Sequence, residues 1–411
     1  MPVENSKESP ALPDMKELSA AFQGKQRKTW IVMLVIGIIA LVGGTACGIA
    51  SFLIPKATLP DLEFPKIPSE KPEENNVYSN LTGEILASEA DKAAPAYCIQ
   101  TPNGLDGARP QAGLNQAGVV FEAIAEAGIT RFAAIYQNPS SAVIGPIRSL
   151  RLYYLKWDTP FDCTIVHAGG ADDALAAVRA GGYKDLTENY TYMYRGTVGS
   201  RRWNNLFTTS AYLAQMNSDR GYGGSNIAGF TRMTPDEAYR DLVDHGVANK
   251  LVITEPTEGN TSTITPSVAA VNFRFGNVPS FNVHYDYNAE TNSYNRSYAT
   301  GAPHEIYECP NENLGEVNPE NPCTLKVLSP KVIIAMIVQE RRASDNYHED
   351  ITAIGSGDAY VFQNGQAYKG KWNKPSDKDQ IKFADENGAE IRLVPGQTFI
   401  SAIPTYGGVE Y

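Results

Sequence analysis

Histidine and cysteine are scarce in this 411-residue chain, with five of each. None of the cysteines forms a CxxC pair, and no Cys/His group has metal-ligand spacing, which argues against a structural zinc site, and no metal or cofactor is expected. P-loop, HExxH and GxSxG patterns are missing as well. Their absence removes the phosphate-cradling, zinc-protease and serine-hydrolase readings that such motifs support. Positive charge is also short: 35 Lys and Arg against 46 Asp and Glu leave a formal net charge of −11. That balance argues against a nucleic-acid partner and against nonspecific adhesion to anionic lipid or wall polymers. Any anionic ligand must be held by a local basic site.

Long apolar runs are confined to one place. Residues 30–54, WIVMLVIGIIALVGGTACGIASFLI, carry no charge, and at ~1.5 Å per helical residue they can cross a hydrocarbon core ~30 Å thick. Lys25, Arg27 and Lys28 crowd the N-terminal flank, whereas Lys56 on the other side is followed by Asp61 and Glu63. The basic bias places the N-terminus inside and the bulk of the chain outside. A cleaved signal peptide fits poorly, because the polar leader contains Glu4, Glu8, Asp14 and Glu17 and the apolar run is too long. Gly44-Thr45-Ala46-Cys47 has the small residues that precede a lipidated cysteine, yet leucine is missing three positions upstream and the apolar run continues to Ile54. Cys47 is therefore read as an ordinary membrane cysteine. The expected location is the cell membrane, single-pass, with a cytoplasmic N-terminus and an extracellular C-terminal ectodomain.

The expected organisation is a cytoplasmic tail (1–29), a transmembrane helix (30–54), a proline-rich linker (55–78), an α/β or α+β N-terminal subdomain (79–250) and a mostly β C-terminal subdomain (251–411). The linker, PKATLPDLEFPKIPSEKPEENNVY, extends at ~3 Å per residue into a spacer of ~60–70 Å. In the first subdomain, GVVFEAIAEAGITRFAAIYQ reads as two strands joined at Ala127-Gly128. SLRLYYLKW has helical character, CTIVHAGG reads as a buried strand, and ADDALAAVRAGG as a helix capped by Asp and stopped by Gly. In the second, VNFRF, FNVHYDY, VIIAMIV and AYVFQNGQAYKGKW read as strands, with hairpin turns at Asn364-Gly365 and Asn387-Gly388. Four cysteines lie outside the membrane. Cys309 and Cys323 bracket a polar, proline-rich loop and are expected to pair, closing it for ~3 kcal/mol in the chain-entropy model. Cys98 and Cys163 then pair by subtraction or remain as two inert buried thiols.

Several phrases in order, LTGE, ARPQAGLNQAGVVFEAIAEAGITRFAAIY, IGPIRSLRLYY, VHAGG, YMYR, GSGDAYVFQNGQAYKGKW and IRLVPGQTFI, resemble one family. It is the YerB-like family of bacterial extracytoplasmic proteins and lipoproteins, the domain of unknown function 3048, and the resemblance covers roughly residues 79–405. It implies location and a two-part architecture, but no biochemical activity. The chain departs from the family pattern at Val120-Phe121-Glu122, at Glu126-Ala127-Gly128 and at Trp203-Asn204-Asn205-Leu206-Phe207. In the last of these a histidine of the family phrase is absent, so a catalytic base there would be lost.

The chemistry-bearing candidates are arginines in an acidic chain: Arg109, Arg131, Arg148 and Arg151, with Arg195, Arg201 and Arg202 further on. Guanidinium forks suit carboxylate or phosphate oxygens, and Arg148 and Arg151 at i, i+3 would share a helical face. The bland alternative is a structural ion-pair network with Glu122 and Glu126. Those two glutamates suggest a glycosidase pair, but in a strand they lie ~13 Å apart on one face. Glu126 facing Arg131 across the turn is the simpler expectation. His167, at a strand end before Gly169-Gly170 and a helix start, occupies the position where open α/β sheets bind ligands. Asp172 and Asp173 would repel an anion there. His167 and Glu122 are the weak catalytic candidates; Arg109, Arg131, Arg148, Arg151 and His167 are the ligand-binding ones. Tyr285, Tyr287, Tyr294, Tyr298, Tyr360, Tyr368 and Trp372 either stack on sugars or pack in the sheet, with packing favoured.

Three functions follow in order of preference. The first is a noncatalytic envelope module that binds an anionic cell-wall ligand or an envelope protein. The second is an envelope hydrolase or transferase of a phosphorylated or glycan substrate, and the third is a structural subunit of a membrane complex.

Overall fold

The computed structural model describes residues 76–141, 143–196, 204–244, 267–309 and 323–411. The expected membrane span at 30–54, Cys47 and most of the linker lie outside the described residues, as do Arg201 and Arg202. Among the described residues no helix is long and apolar enough to cross a membrane. Residues 73–411 form one compact unit, which is mostly β with few helices.

Its centre is a mixed ten-stranded sheet. In chain order the strands are β1 (Ala96–Pro102), β2 (Val119–Glu126), β3 (Ile129–Gln137), β4 (Thr164–His167), β5 (Lys184–Thr187), β6 (Val332–Val338), β7 (Gly355–Gln363), β8 (Gln366–Lys374), β9 (Lys382–Asp385) and β10 (Thr398–Pro404). Across the sheet they run β9-β8-β7-β6-β10-β2-β3-β1-β4-β5. Strands from both expected subdomains share this sheet, and β10 joins them by pairing in parallel with β6 on one side and β2 on the other. The apolar runs of β1, β2, β6 and β10 are buried along almost their whole length, as expected of strands covered on both faces.

One face carries helices α1 (Leu152–Asp158) and α2 (Asp172–Arg179), with Trp157 and Phe161 packed on Phe121. The other is covered by the helix Ser210–Asp219 and by a four-stranded sheet made of Ser293–Tyr298, Val283–Asn288, Ala270–Arg274 and Gly408–Glu410. The helix Ser210–Asp219 begins cleanly because the Thr209 hydroxyl accepts from Tyr212 N at 3.0 Å, which satisfies one orphan amide of its first turn. Tyr285, Tyr294, Tyr298 and Trp372 are buried, so packing accounts for these rings.

Two of the three turn signals join paired strands, and the third, Asn387-Gly388, turns the chain back onto an isolated bridge between Ala384 and Glu390. Ala127 and Gly128 take φ of 50° and 76°, and Asn364 and Gly365 take 53° and 66°, the left-handed pairs that tight hairpins require. Other local expectations shift. The helix after Gly145-Pro146 starts only at Leu152, and Arg151 is extended at φ −126° and ψ 148°. Arg148 and Arg151 therefore share no helical face. At α2 the N-cap is Ala171, not an aspartate, while Asp173 Oδ1 accepts from the adjacent Ala174 N at 2.7 Å. The expected Cys309–Cys323 pair is a disulfide, and Cys98–Cys163, left open by the sequence, is one as well, with Cα separations of 4.4 and 5.7 Å respectively. The second pins β1 to the segment just before β4.

Candidate functional site

Alternation along a strand decides which charges can meet. On β2 and β3, Glu122, Ile124, Thr130 and Phe132 face the small sheet, while Ala123, Arg131 and Ala133 face the helices. Unbroken alternation would put Glu126 beside Glu122. A bulge between Ile124 and Glu126 inserts one residue, and such an insertion turns the chain over. Glu126 thus joins Arg131 on the helix side, and the two glutamates end on opposite faces. Paired-carboxylate catalysis by Glu122 and Glu126 is excluded.

On the helix side Glu126 is clamped by two guanidiniums. Oε1 accepts from Arg131 Nη2 at 2.8 Å and Oε2 from Arg151 Nη2 at 2.6 Å. Each Nη1 goes to backbone, Arg131 Nη1 to Ser149 O at 2.8 Å and Arg151 Nη1 to Leu150 O at 3.0 Å, while the buried Nε of each arginine has no partner. Burial alone would raise the Glu126 carboxyl, but Arg131 and Arg151 outweigh it and hold the group below its ordinary range. Burial, with Arg151 alongside, brings Arg131 down to about 10. These two arginines form a structural ion triad, and neither is presented to an external ligand.

Arg148 and His167 sit elsewhere. Segment 148–150 threads between the carboxyl ends of β1 and β4: Arg148 N donates to Gln100 O at 2.7 Å, and Ala168 N donates to Arg148 O at 3.1 Å. The crevice that open sheets use for ligands is filled by this backbone. His167 is buried, with Nδ1 2.7 Å from Gly169 O and Nε2 2.9 Å from Asp185 Oδ1. Both ring nitrogens are thus engaged by acceptors inside the fold. Arg148 is half-buried, and its buried Nε has no partner.

The richest polar cluster lies under the small sheet, where Glu122 meets residues from the far half of the chain. Glu122 and Arg296 are each 0 % exposed, and Arg296 Nη2 donates to Glu122 Oε2 at 2.8 Å. Glu122 Oε1 accepts from the Thr130 hydroxyl at 2.9 Å and from Asn103 Nδ2 at 3.4 Å. Arg296 Nε donates to the Tyr285 hydroxyl at 3.2 Å, and Nη1 donates to His304 Nδ1. Because a guanidinium can only donate, His304 Nδ1 must be the acceptor and Nε2 carries the proton, which goes to Gln111 Oε1 at 2.9 Å. Burial and then the Arg296 and Arg109 cations push His304 well below its ordinary range, which agrees with the neutral tautomer. Burial pushes the Glu122 carboxyl up, and Arg296 and the Thr130 hydroxyl pull it back. The buried Arg296 cation is in turn held charged by Glu122.

Arg109 closes the cluster toward solvent. Its Nε donates to Asn103 Oδ1 at 2.8 Å and its Nη2 to Ser280 O at 3.0 Å. Its guanidinium carbon stands 3.7 Å from the Tyr298 ring centroid and 5.1 Å from that of Phe281, a cation–π seat. Arg109 has no carboxylate at ion-pair distance among the described residues. It lines an open cleft of about 270 Å³ with Leu105, Tyr298, Thr300, His304 and Glu305. Of the five expected ligand-binding residues, only Arg109 reaches this cleft, and Glu122 stands behind it. Sequence reasoning missed Arg296, His304 and Asn103, which carry no motif, and Gln111, which lies in the phrase ARPQAGL beside Arg109; Tyr298 was legible only as one aromatic among several. Among the described residues no cluster of metal-ligating side chains forms.

Residues 81–223 match the family described as "Protein of unknown function (DUF3048) N-terminal domain", and residues 271–400 match its C-terminal domain. The Bacillus subtilis (strain 168) protein YerB, provisionally described as a lipoprotein, is 25% identical over 327 residues, which span 79% of this chain and 85% of that one. The crystal structure of YerB from Bacillus subtilis superposes with a TM-score of 0.62 at 20% identity, covering 82% of this chain and 100% of the other. That likeness shows the fold. Arg109, Glu122 and Thr130 fall in the first matched region and Arg296, Tyr298 and His304 in the second, so the buried network joins the two.

Proposed function

The chain belongs to the YerB-like DUF3048 family, and from that premise we propose that it is an extracytoplasmic binding protein, anchored through residues 30–54, whose anionic ligand docks on Arg109. The observation that carries this reading is the state of Arg109: a guanidinium seated on Tyr298, held by neutral acceptors, facing an open cleft without a carboxylate partner. Behind it, Glu122 neutralises Arg296 and His304 is neutral, so the cluster keeps a net charge of one positive unit in an acidic chain. Preorganised cations of this kind bind anions with little reorganisation. The lipoprotein description of the Bacillus subtilis relative supports an envelope location.

The enzyme reading has less support. Glu122 is saturated by donors inside the fold, His167 is committed at both nitrogens, and the two share no partner. The test is a thermal-shift and calorimetric screen of the full-length protein against carboxylates and phosphates, comparing Arg109→Gln with Arg148→Gln. Ligand stabilisation is expected to vanish in the first variant and persist in the second. Stabilisation that survives Arg109→Gln sinks the proposal.

A further inference from the structure

The same cleft that presents Arg109 is also lined by Glu305. Glu305 has no cation at ion-pair distance among the described residues, and it does not pair with Arg109. The neighbouring acid on that strand, Glu308, is by contrast matched by Lys326. One small cleft thus holds one unmatched charge of each sign, set apart from each other. Opposite charges that line one cleft and leave each other unpaired are complementary to a ligand that carries both.

Resting on the anion-docking reading above, we infer that the ligand class is a small zwitterion, its carboxylate on Arg109 and its ammonium group on Glu305. Arg109 leaves Nη1 free, since Nε and Nη2 are taken by Asn103 and Ser280. One guanidinium edge suits a carboxylate. A phosphate dianion fits less well: it would find no second free cation, because Arg296 is spent on Glu122, and it would meet the Glu305 carboxylate. Pro110, Ala302, Pro303 and the 65 % exposed Leu105 supply apolar surface for an aliphatic stem between the two charges. At about 270 Å³ the cleft is just below the usual range for drug-sized ligands. It suits an amino acid or the end of a short peptide.

The experiment titrates the full-length protein by calorimetry with glycine, β-alanine, γ-aminobutyrate and 5-aminopentanoate, whose charges are progressively further apart. Propionate and inorganic phosphate are the singly functional comparators. At least one zwitterion is expected to bind about 3-fold or more tighter than propionate, the contribution of one half-exposed ion pair. Glu305→Gln should abolish that preference and leave propionate binding equal or tighter, and Arg109→Lys, checked for an unchanged melting profile, should weaken every ligand. If propionate or phosphate binds as tightly as every zwitterion and Glu305→Gln changes nothing, the zwitterion assignment fails while anion docking on Arg109 stands. If none of the six compounds binds, both fail.

Discussion

Glu122→Gln keeps the shape of the side chain that faces Arg296 and removes its charge. The pair is fully buried at 2.8 Å and shared by no other carboxylate at ion-pair distance among the described residues. Two unit charges ~4 Å apart interact by ~4 kcal/mol at an effective dielectric of ~20, and breaking a buried pair from one side costs about 3–5 kcal/mol. The amide keeps one acceptor for Thr130 or Arg296, so the lower end of that range, ~3 kcal/mol, is expected. Against a total stability of ~5–15 kcal/mol for a folded domain, the loss is large enough to read from urea unfolding followed by tryptophan fluorescence. Arg296→Met should cost a similar amount, since it leaves Glu122 buried without its cation. The double variant should then lose clearly less than the sum, with a coupling of about 2 kcal/mol or more. A single-variant loss below ~1 kcal/mol, or strict additivity in the double variant, refutes the claim that this pair is a coupled structural unit.

Two further outcomes follow from other parts of the fold. Burial raises the Glu340 carboxyl to about 7; Tyr406 donates to its Oε1, and its Oε2 has no partner. Its folded value lies above the unfolded one, so the folded state binds the extra proton. Stability from this group is full below pH ~4 and is lost as the pH rises toward about 7, by ~1–2 kcal/mol after allowing for partial exposure. Glu340→Gln should flatten that limb in denaturant titrations between pH 4 and 8, and an unchanged slope would show that the carboxyl ionises normally. Replacing both cysteines of Cys98–Cys163, which spans 65 residues, should cost more than removing Cys309–Cys323, which spans 14, by ~4 against ~3 kcal/mol in the chain-entropy model. Equal melting losses would refute loop length as the deciding variable.

What could be read along the chain was local. Ala127-Gly128 and Asn364-Gly365 announce their hairpins because positive φ at two successive residues demands such pairs. Cys309 and Cys323 pair across a short loop, and the glycine-ended run Thr164–His167 is a buried strand. The errors are also instructive. A one-residue bulge at Ile124–Glu126 reassigns Glu126 to the other face, and nothing in the residue types of that stretch marks it. Extended backbone through Arg151 delays a helix that SLRLYYLKW would allow earlier, which dissolves the supposed arginine clamp. The cleft was least legible. Arg296 lies 174 residues from Glu122, and His304 lies 193 residues from Gln111. Their partnership exists only after the small sheet has docked, a fact of tertiary pairing that no local window contains.

The position of β10 has a bearing on how the protein reaches its folded state. The last long strand of the chain occupies the middle of the main sheet, and Gln397 Nε2 donates to Ala117 O at 2.7 Å across 280 residues. A chain made from its N-terminal end holds β2 as an open, apolar strand edge until its final residues emerge. Such long-range parallel pairing is also slow to form. Productive folding is thus tied to completion of the chain, and a chain stopped short of residue 398 would leave two half-sheets with exposed edges.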